Sequence, residues 1–273
     1  MKTENIADKI LDEILELLSS EDCQKQKIGF ESLRMTAAFS ATVGQMDAVY
    51  YEGICYKEGI GTHQSDERAF ERFEKAANAI PEAMYELGLC YVHGEGTELD
   101  IDKAVECFND AAHRGVPEAQ YKLGVCYRRG EGVEQDIKTA LYWYEKAANQ
   151  GYLRAYHNIG IIYQHGLGGI PTDYNKAFNY FMKAANEEST ESYFCIGNCY
   201  LNGLGGGEKD EKEAARWFLK AAELGEPDSM FHLAWMYQEG IGVEQNSELS
   251  TEYLYKAAEA RWEPAIRIIK GED

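Results

Sequence analysis

Apolar positions along the chain fall into two alternating helical patterns. In the stretch from Pro117 to Leu153, Ala119, Leu123, Cys126 and Tyr127 are spaced 4, 3 and 1. That spacing draws one face of a helix running to about Arg129. A second stripe follows at Ala140, Tyr144, Ala147 and Ala148, matched in the next stretch by Ala177, Phe181, Ala184 and Ala185. Between the stripes, Gly130-Glu131-Gly132 ends the first helix, because a helix C-terminus needs a left-handed residue. Asp136 is placed to cap the second helix by accepting a free backbone N–H of its first turn. Ser65, Asp100, Asp173, Asp210 and Asn246 hold the same place elsewhere. Pro81, Pro117, Pro227 and Pro264 mark the starts of first helices, where the missing proline N–H costs nothing.

The pattern predicts an internal repeat. Gly53, Gly88, Gly124, Gly160 and Gly197, with Ala234 in the sixth copy, are separated by 35, 36, 36, 37 and 37 residues. A mid-helix glycine costs up to about 1 kcal/mol against alanine, so its recurrence predicts a close helix–helix contact. This period predicts an all-α solenoid of six helix-turn-helix repeats over 47–81, 82–117, 118–153, 154–190, 191–227 and 228–263. Residues 1–46 read as an N-terminal cap or worn repeat. Ile6, Ile10, Ile14 and Leu17 share one face there, and Leu33, Ala37, Ser40, Ala41 and Gly44 keep traces of a second helix. Residues 264–273 read as a C-terminal capping helix with Ile266, Ile268 and Ile269.

Composition narrows the function class. The net charge is −20, from 47 acidic and 27 basic residues, which argues against nonspecific binding to nucleic acid or an anionic membrane. No signal peptide and no membrane span are expected. Seven cysteines are present, and Cys55, Cys90, Cys126 and Cys199 share a column whose other members are Ile162 and Met236. A slot filled by Cys, Ile or Met is a core position, so free thiols and a reducing, cytoplasmic setting are expected. Cys195 and Cys199, four apart, lack the His or second Cys pair of a metal site.

The residues Ala119, Leu123, Gly124, Tyr127, Gly130, Gly132, Val133, Asp136, Ala140, Trp143, Tyr144, Lys146, Ala147 and Ala148 together resemble the signature of the Sel-one-like repeat family, a relative of the tetratricopeptide repeats. The resemblance spans residue 47 to about residue 270. It departs locally, in the longer loops Gly168-Gly169-Ile170-Pro171 and Gly203 to Gly207 and at Ala234 and Ser250. It implies a right-handed superhelix with a concave groove lined by first helices, and a role as a protein-binding adaptor. A secreted, cysteine-rich branch of the family is associated with β-lactam binding and hydrolysis. The alternative function is therefore a β-lactam-binding hydrolase, but the paired cysteines of that branch are missing here.

No constellation for catalysis, cofactor or metal emerges. Gly203 to Asp210 lacks the phosphate-loop frame, and the histidines form no zinc-protease motif. The pair Glu187-Glu188 reads as loop charge. By similarity with tetratricopeptide repeats, certain first-helix columns face a protein or peptide ligand. Three residues before the anchor glycine stand Tyr50, Tyr85, Tyr121, His157, Phe194 and Phe231. One after it stand Val125, Ile161, Asn198 and Trp235, and further along Arg128, Arg129, Gln164 and His165. Charge varies along the array. Residues 82–117 hold 8 acids and 2 bases, residues 118–190 hold 8 of each, and residues 191–263 hold 14 acids and 6 bases. The neutral, tyrosine-rich middle is the expected peptide site, with Arg128 and Arg129 pairing with acidic groups. The expectation is a monomeric, non-enzymatic scaffold that binds neither nucleic acid nor membrane.

Overall fold

The computed structural model describes residues 6–39, 45–185, 190–206 and 208–271. Ser40, Ala41, Gly44, Glu187, Glu188 and Gly207, singled out above, lie outside them. Every regular element among the described residues is helical, and the chain divides into two compact units, 1–135 and 136–273. The first unit holds α1 (Ile6–Leu18), α2 (Cys23–Phe39), α3 (Gln45–Glu58), α4 (Asp66–Ala76), α5 (Pro81–His93), α6 (Ile101–His113) and α7 (Pro117–Arg129). The second holds α8 (Ile137–Asn149), α9 (Leu153–His165), α10 (Tyr174–Ala184), α11 (Thr190–Asn202), α12 (Glu211–Glu223), α13 (Pro227–Glu239), α14 (Ser247–Glu259) and α15 (Glu263–Lys270). Within each unit every helix packs on the one before it and the one after it, the arrangement of a solenoid.

Local chemistry explains the boundaries. Ser65, Asp100, Asp136, Asp173, Asp210 and Asn246 each accept first-turn backbone N–H groups with their side chains. The first helices α5, α7 and α13 begin on Pro81, Pro117 and Pro227. Pro264 departs from this register. The helix α15 starts at Glu263, so its proline stands one position later than in the other copies. At the turn before it, Arg261 carries φ 62°, where Gly115, Gly151 and Gly225 stand in other copies.

The anchor glycines are explained by an aromatic ring. A Cβ on Gly53, Gly88, Gly160 or Gly197 would lie 2.6, 2.6, 2.4 or 2.7 Å from the ring of Phe73, Phe108, Phe181 or Phe218 respectively. Each ring belongs to the second helix of the same copy and is essentially fully buried. In the sixth copy the ring position is Leu254 and the glycine becomes Ala234. A smaller partner admits the extra carbon. Successive copies lock through the turn. A Cβ on Gly96 would come within 2.2 Å of the Asp66 carbonyl, and one on Gly242 within 2.1 Å of that of Glu211. These glycines therefore seat each turn against the second helix of the preceding copy. Arg114 adds a clasp, donating to the Ala77 and Ala79 carbonyls at 3.0 and 2.9 Å, beyond the end of α4. Those carbonyls would otherwise lack intrahelical partners.

Candidate functional site: the faces of the first helices

The predicted site residues divide between the units. Tyr50, Tyr85, Tyr121, Val125, Arg128 and Arg129 stand on α3, α5 and α7. His157, Ile161, Gln164, His165, Phe194, Asn198, Phe231 and Trp235 stand on α9, α11 and α13. Arg129, His165 and Trp235 are exposed, and the other eleven are half-buried. Trp235, at 44% exposure, is the most open apolar ring of the set.

The column three before the anchor is partly a packing layer. Tyr50 lies 6.1 Å from the Phe73 ring, Tyr85 5.8 Å from Phe108, His157 5.7 Å from Phe181 and Phe194 5.8 Å from Phe218. Each ring thus packs toward the core aromatic that explains the glycine and remains half-buried. Burial, reinforced by the charge of Glu86, raises the pKa of Tyr50 above the ordinary phenol value, so the hydroxyl stays neutral. His157 shares a hydrogen bond with Ser192 at 3.0 Å between Nδ1 and Oγ. Ser192 is 0% exposed, so this pair joins helices and offers no accessible nucleophile.

The column four after the anchor carries the polar chemistry. Lys57 donates to Glu86 at 2.8 Å, linking the first helices of the first two copies. Burial works against the Lys57 charge, but the Glu86 contact outweighs it and raises its pKa. Glu86 was not among the residues singled out from the sequence. Its signal is a carboxylate on α5 placed to meet a lysine on α3. In the same column, Arg128 Nε and Gln164 Oε1 are buried polar atoms with no hydrogen-bond partner among the described residues. Such atoms cost free energy until a partner arrives. Arg129 differs from Arg128, because it pairs with Glu131 at 3.3 Å on the surface. The sequence treated the two arginines alike, and the structure separates them.

All seven cysteines are unpaired, six of them buried and Cys23 exposed. Burial pushes the Cys55, Cys90 and Cys195 thiols up to about 12. No group of His, Cys, Asp and Glu among the described residues is arranged to hold a metal ion. No described helix is long and apolar enough to cross a membrane.

Comparison with known proteins agrees with this architecture. The Sel1 repeat matches six times, over residues 47–79, 81–116, 117–152, 153–189, 191–226 and 227–261. Among solved structures, the chain is similar to c5321 of uropathogenic Escherichia coli, described as a protective antigen displaying an SLR fold. The TM-score is 0.82 at 25% identity, over 95% of this chain and 55% of that one. The chain thus spans about half the length of that relative. It is also similar to a Sel1 repeat protein from Oxalobacter formigenes, with a TM-score of 0.76 at 28% identity, over 91% of this chain and 96% of that one. No curated protein matches the chain. With six matched copies covering most of its length and the helix-pair fold they require, the chain belongs to the Sel1 repeat family.

Proposed function

We propose that this Sel1 repeat protein is a non-enzymatic interaction scaffold that holds a partner protein segment against its first helices. Repeats of this class are typical of interaction scaffolds. The observation that carries the reading for this chain is Arg128. Its Nε is buried without a hydrogen-bond partner, on the helix face that also carries Tyr121 and Val125. Spacings of 4 and 3 along α7 put these three side chains on one side. A partner carboxylate would satisfy the guanidinium, and an adjacent apolar group would rest on the tyrosine and valine. Arginine and tyrosine are the residue types that dominate interface cores. In the second unit, Trp235 offers an open ring of the same kind.

Unpaired thiols, six of them buried, fit a reducing compartment such as the cytoplasm. The test is capture of partners from lysate of the source cell by the wild-type chain and by Arg128→Glu. The expected result is a defined partner held by wild type and lost by the variant, with circular dichroism unchanged. A partner held equally by both removes Arg128 from the site. Turnover of a β-lactam substrate by the purified chain would overturn the non-enzymatic reading.

A further inference from the structure

The first copy breaks a rule that the other five obey. One residue before the anchor stand Leu87, Leu123, Ile159, Ile196 and Leu233, all buried, but in the first copy this place is Glu52, buried to 5% exposure. Its neighbour across the helix pair departs with it. Seven residues after the cap stand Cys107, Trp143, Tyr180, Trp217 and Tyr253, but in the first copy Arg72. Glu52 and Arg72 face each other at 3.3 Å between Oε2 and Nε. That approach lacks hydrogen-bond geometry, and Arg72 Nε is buried with no hydrogen-bond partner. A third change follows from the second. In later copies a lysine three places on lies over the rings, Lys220 at 4.1 Å from Trp217 and Lys256 at 5.0 Å from Tyr253. In the first copy that lysine is Lys75, and it lines a cleft instead.

The cleft lies between α2, α3 and α4 and has a volume of about 380 Å³. Arg34, Arg72 and Lys75 line it beside Glu52, and Met35 and Val49 supply apolar wall. An ion pair with a buried carboxylate and a half-buried guanidinium, in place of the apolar residues of the other copies, is weak evidence for a stabilising role, since apolar residues of similar volume usually do as well or better. A cleft with apolar walls and a few convergent charged groups is the general form of a ligand site.

We propose that this cleft binds the free C-terminal carboxylate of a partner peptide whose last residue is apolar. Arg72, held by Glu52, presents a guanidinium to the carboxylate, Arg34 and Lys75 add positive charge at the rim, and Met35 and Val49 take the side chain. Three cations against Glu52 and Glu31 leave one net positive charge, which suits a monoanion. A phosphate dianion would meet two carboxylates with too little positive charge to offset both. The volume is near the small end of ligand pockets, about 300 Å³, and holds one residue. The site is separate from the Arg128 face, and neither proposal depends on the other.

The test is an amide NMR titration of the full chain with N-acetyl-leucine, N-acetyl-leucinamide and inorganic phosphate as probes. Saturable millimolar shifts confined to α2, α3 and α4 with the acid, and none with the amide or phosphate, are expected. The variant Glu52→Leu/Arg72→Trp installs the pair of the third copy, so it stays folded and loses the shifts. Arg34→Gln/Lys75→Gln changes only rim charge and weakens binding about tenfold. A pentapeptide ending in leucine binds at least about tenfold tighter than the free acid. No saturable shift with the acid, equal shifts with the amide, or unchanged binding in Glu52→Leu/Arg72→Trp overturns the site. A pentapeptide no tighter than N-acetyl-leucine overturns the peptide as its ligand.

Discussion

Replacing the anchor glycine of the fourth copy by alanine sets two effects of known size against each other. In a plain helix Gly160→Ala stabilises by about 1 kcal/mol, because glycine has more backbone freedom to lose. Here the new carbon would lie 2.4 Å from Cε1 and 2.7 Å from Cδ1 of Phe181. Carbon atoms sit comfortably about 3.5–4.0 Å apart, so the ring must retreat by about 1 Å. It has no room to do so, because Phe181, Ile159, Ile162 and Ala177 are all 0% exposed. Overpacking of this kind costs about 1–3 kcal/mol, which leaves Gly160→Ala destabilised by up to about 2 kcal/mol. Phe181→Leu alone is destabilising as well, because it opens a void under Gly160. The two changes together reproduce the Ala234 and Leu254 pair of the sixth copy. Their coupling should therefore be favourable, about 1–3 kcal/mol. Urea unfolding followed by circular dichroism measures all four proteins. Hydrogen exchange of α9 and α10 amides accompanies it, because repeat arrays need not unfold in one step. A Gly160→Ala chain more stable than wild type by the full helix-propensity gain, or strictly additive changes, would refute the ring as the reason for the glycine.

Three further outcomes follow from single features. Burial, then the charge of Glu226, raises the Asp228 pKa from 3.8 to about 6. The folded chain therefore holds this proton more tightly than the unfolded chain, and that contribution is complete below pH 3.8 and lost as pH rises through about 6. Asp228→Asn should thus raise the melting temperature relative to wild type at pH 7.5 and not at pH 4. Asp228 is half-buried, so after solvent screening the gain stays below about 1 kcal/mol. Thiol labelling of the native chain should find one fast site, Cys23, and six slow ones that become reactive only as urea unfolds the helices around them. Several fast thiols would mean that a unit opens locally. Arg114→Ala removes both donors to the Ala77 and Ala79 carbonyls and should cost about 1–2 kcal/mol in urea unfolding, whereas Arg129→Ala, whose pair is exposed, should cost almost nothing.

Much of the fold was legible because it rests on local chemistry. Cap residues, terminal glycines and apolar stripes act within a turn or two of helix, and all six cap positions read from the chain are N-caps with side-chain hydrogen bonds. The close contact at the anchor glycine was legible too, although its partner ring, some twenty residues away, emerges only when the hairpin closes. Pro264 was misplaced by one position because proline is tolerated at either of the first two helical residues, and only backbone geometry decides between them. The candidate site was less legible. Spacing puts Tyr50, Tyr85, His157 and Phe194 in one column, but it does not reveal that each leans on a core ring. Nor does it separate Arg128, with its buried Nε, from Arg129, paired with Glu131.

An array of repeats supplies its own controls, because each position has five counterparts in the same chain. Departures come in two physical kinds. Ala234 with Leu254 exchanges volume between two facing positions and leaves the joint apolar, which is how packing compensates itself. Glu52 with Arg72 exchanges apolar volume for charge, buries a carboxylate, leaves a buried N–H without a hydrogen-bond partner and lines a cleft. Packing alone has no use for the second kind, since the other five copies close the same joint with leucine or isoleucine against cysteine or an aromatic ring. A departure that conserves volume therefore points to the fold, and one that buries unmatched polarity points to a ligand. By that criterion the joint of the first copy, more than the aromatic column shared by all six, is where this chain differs from a generic scaffold.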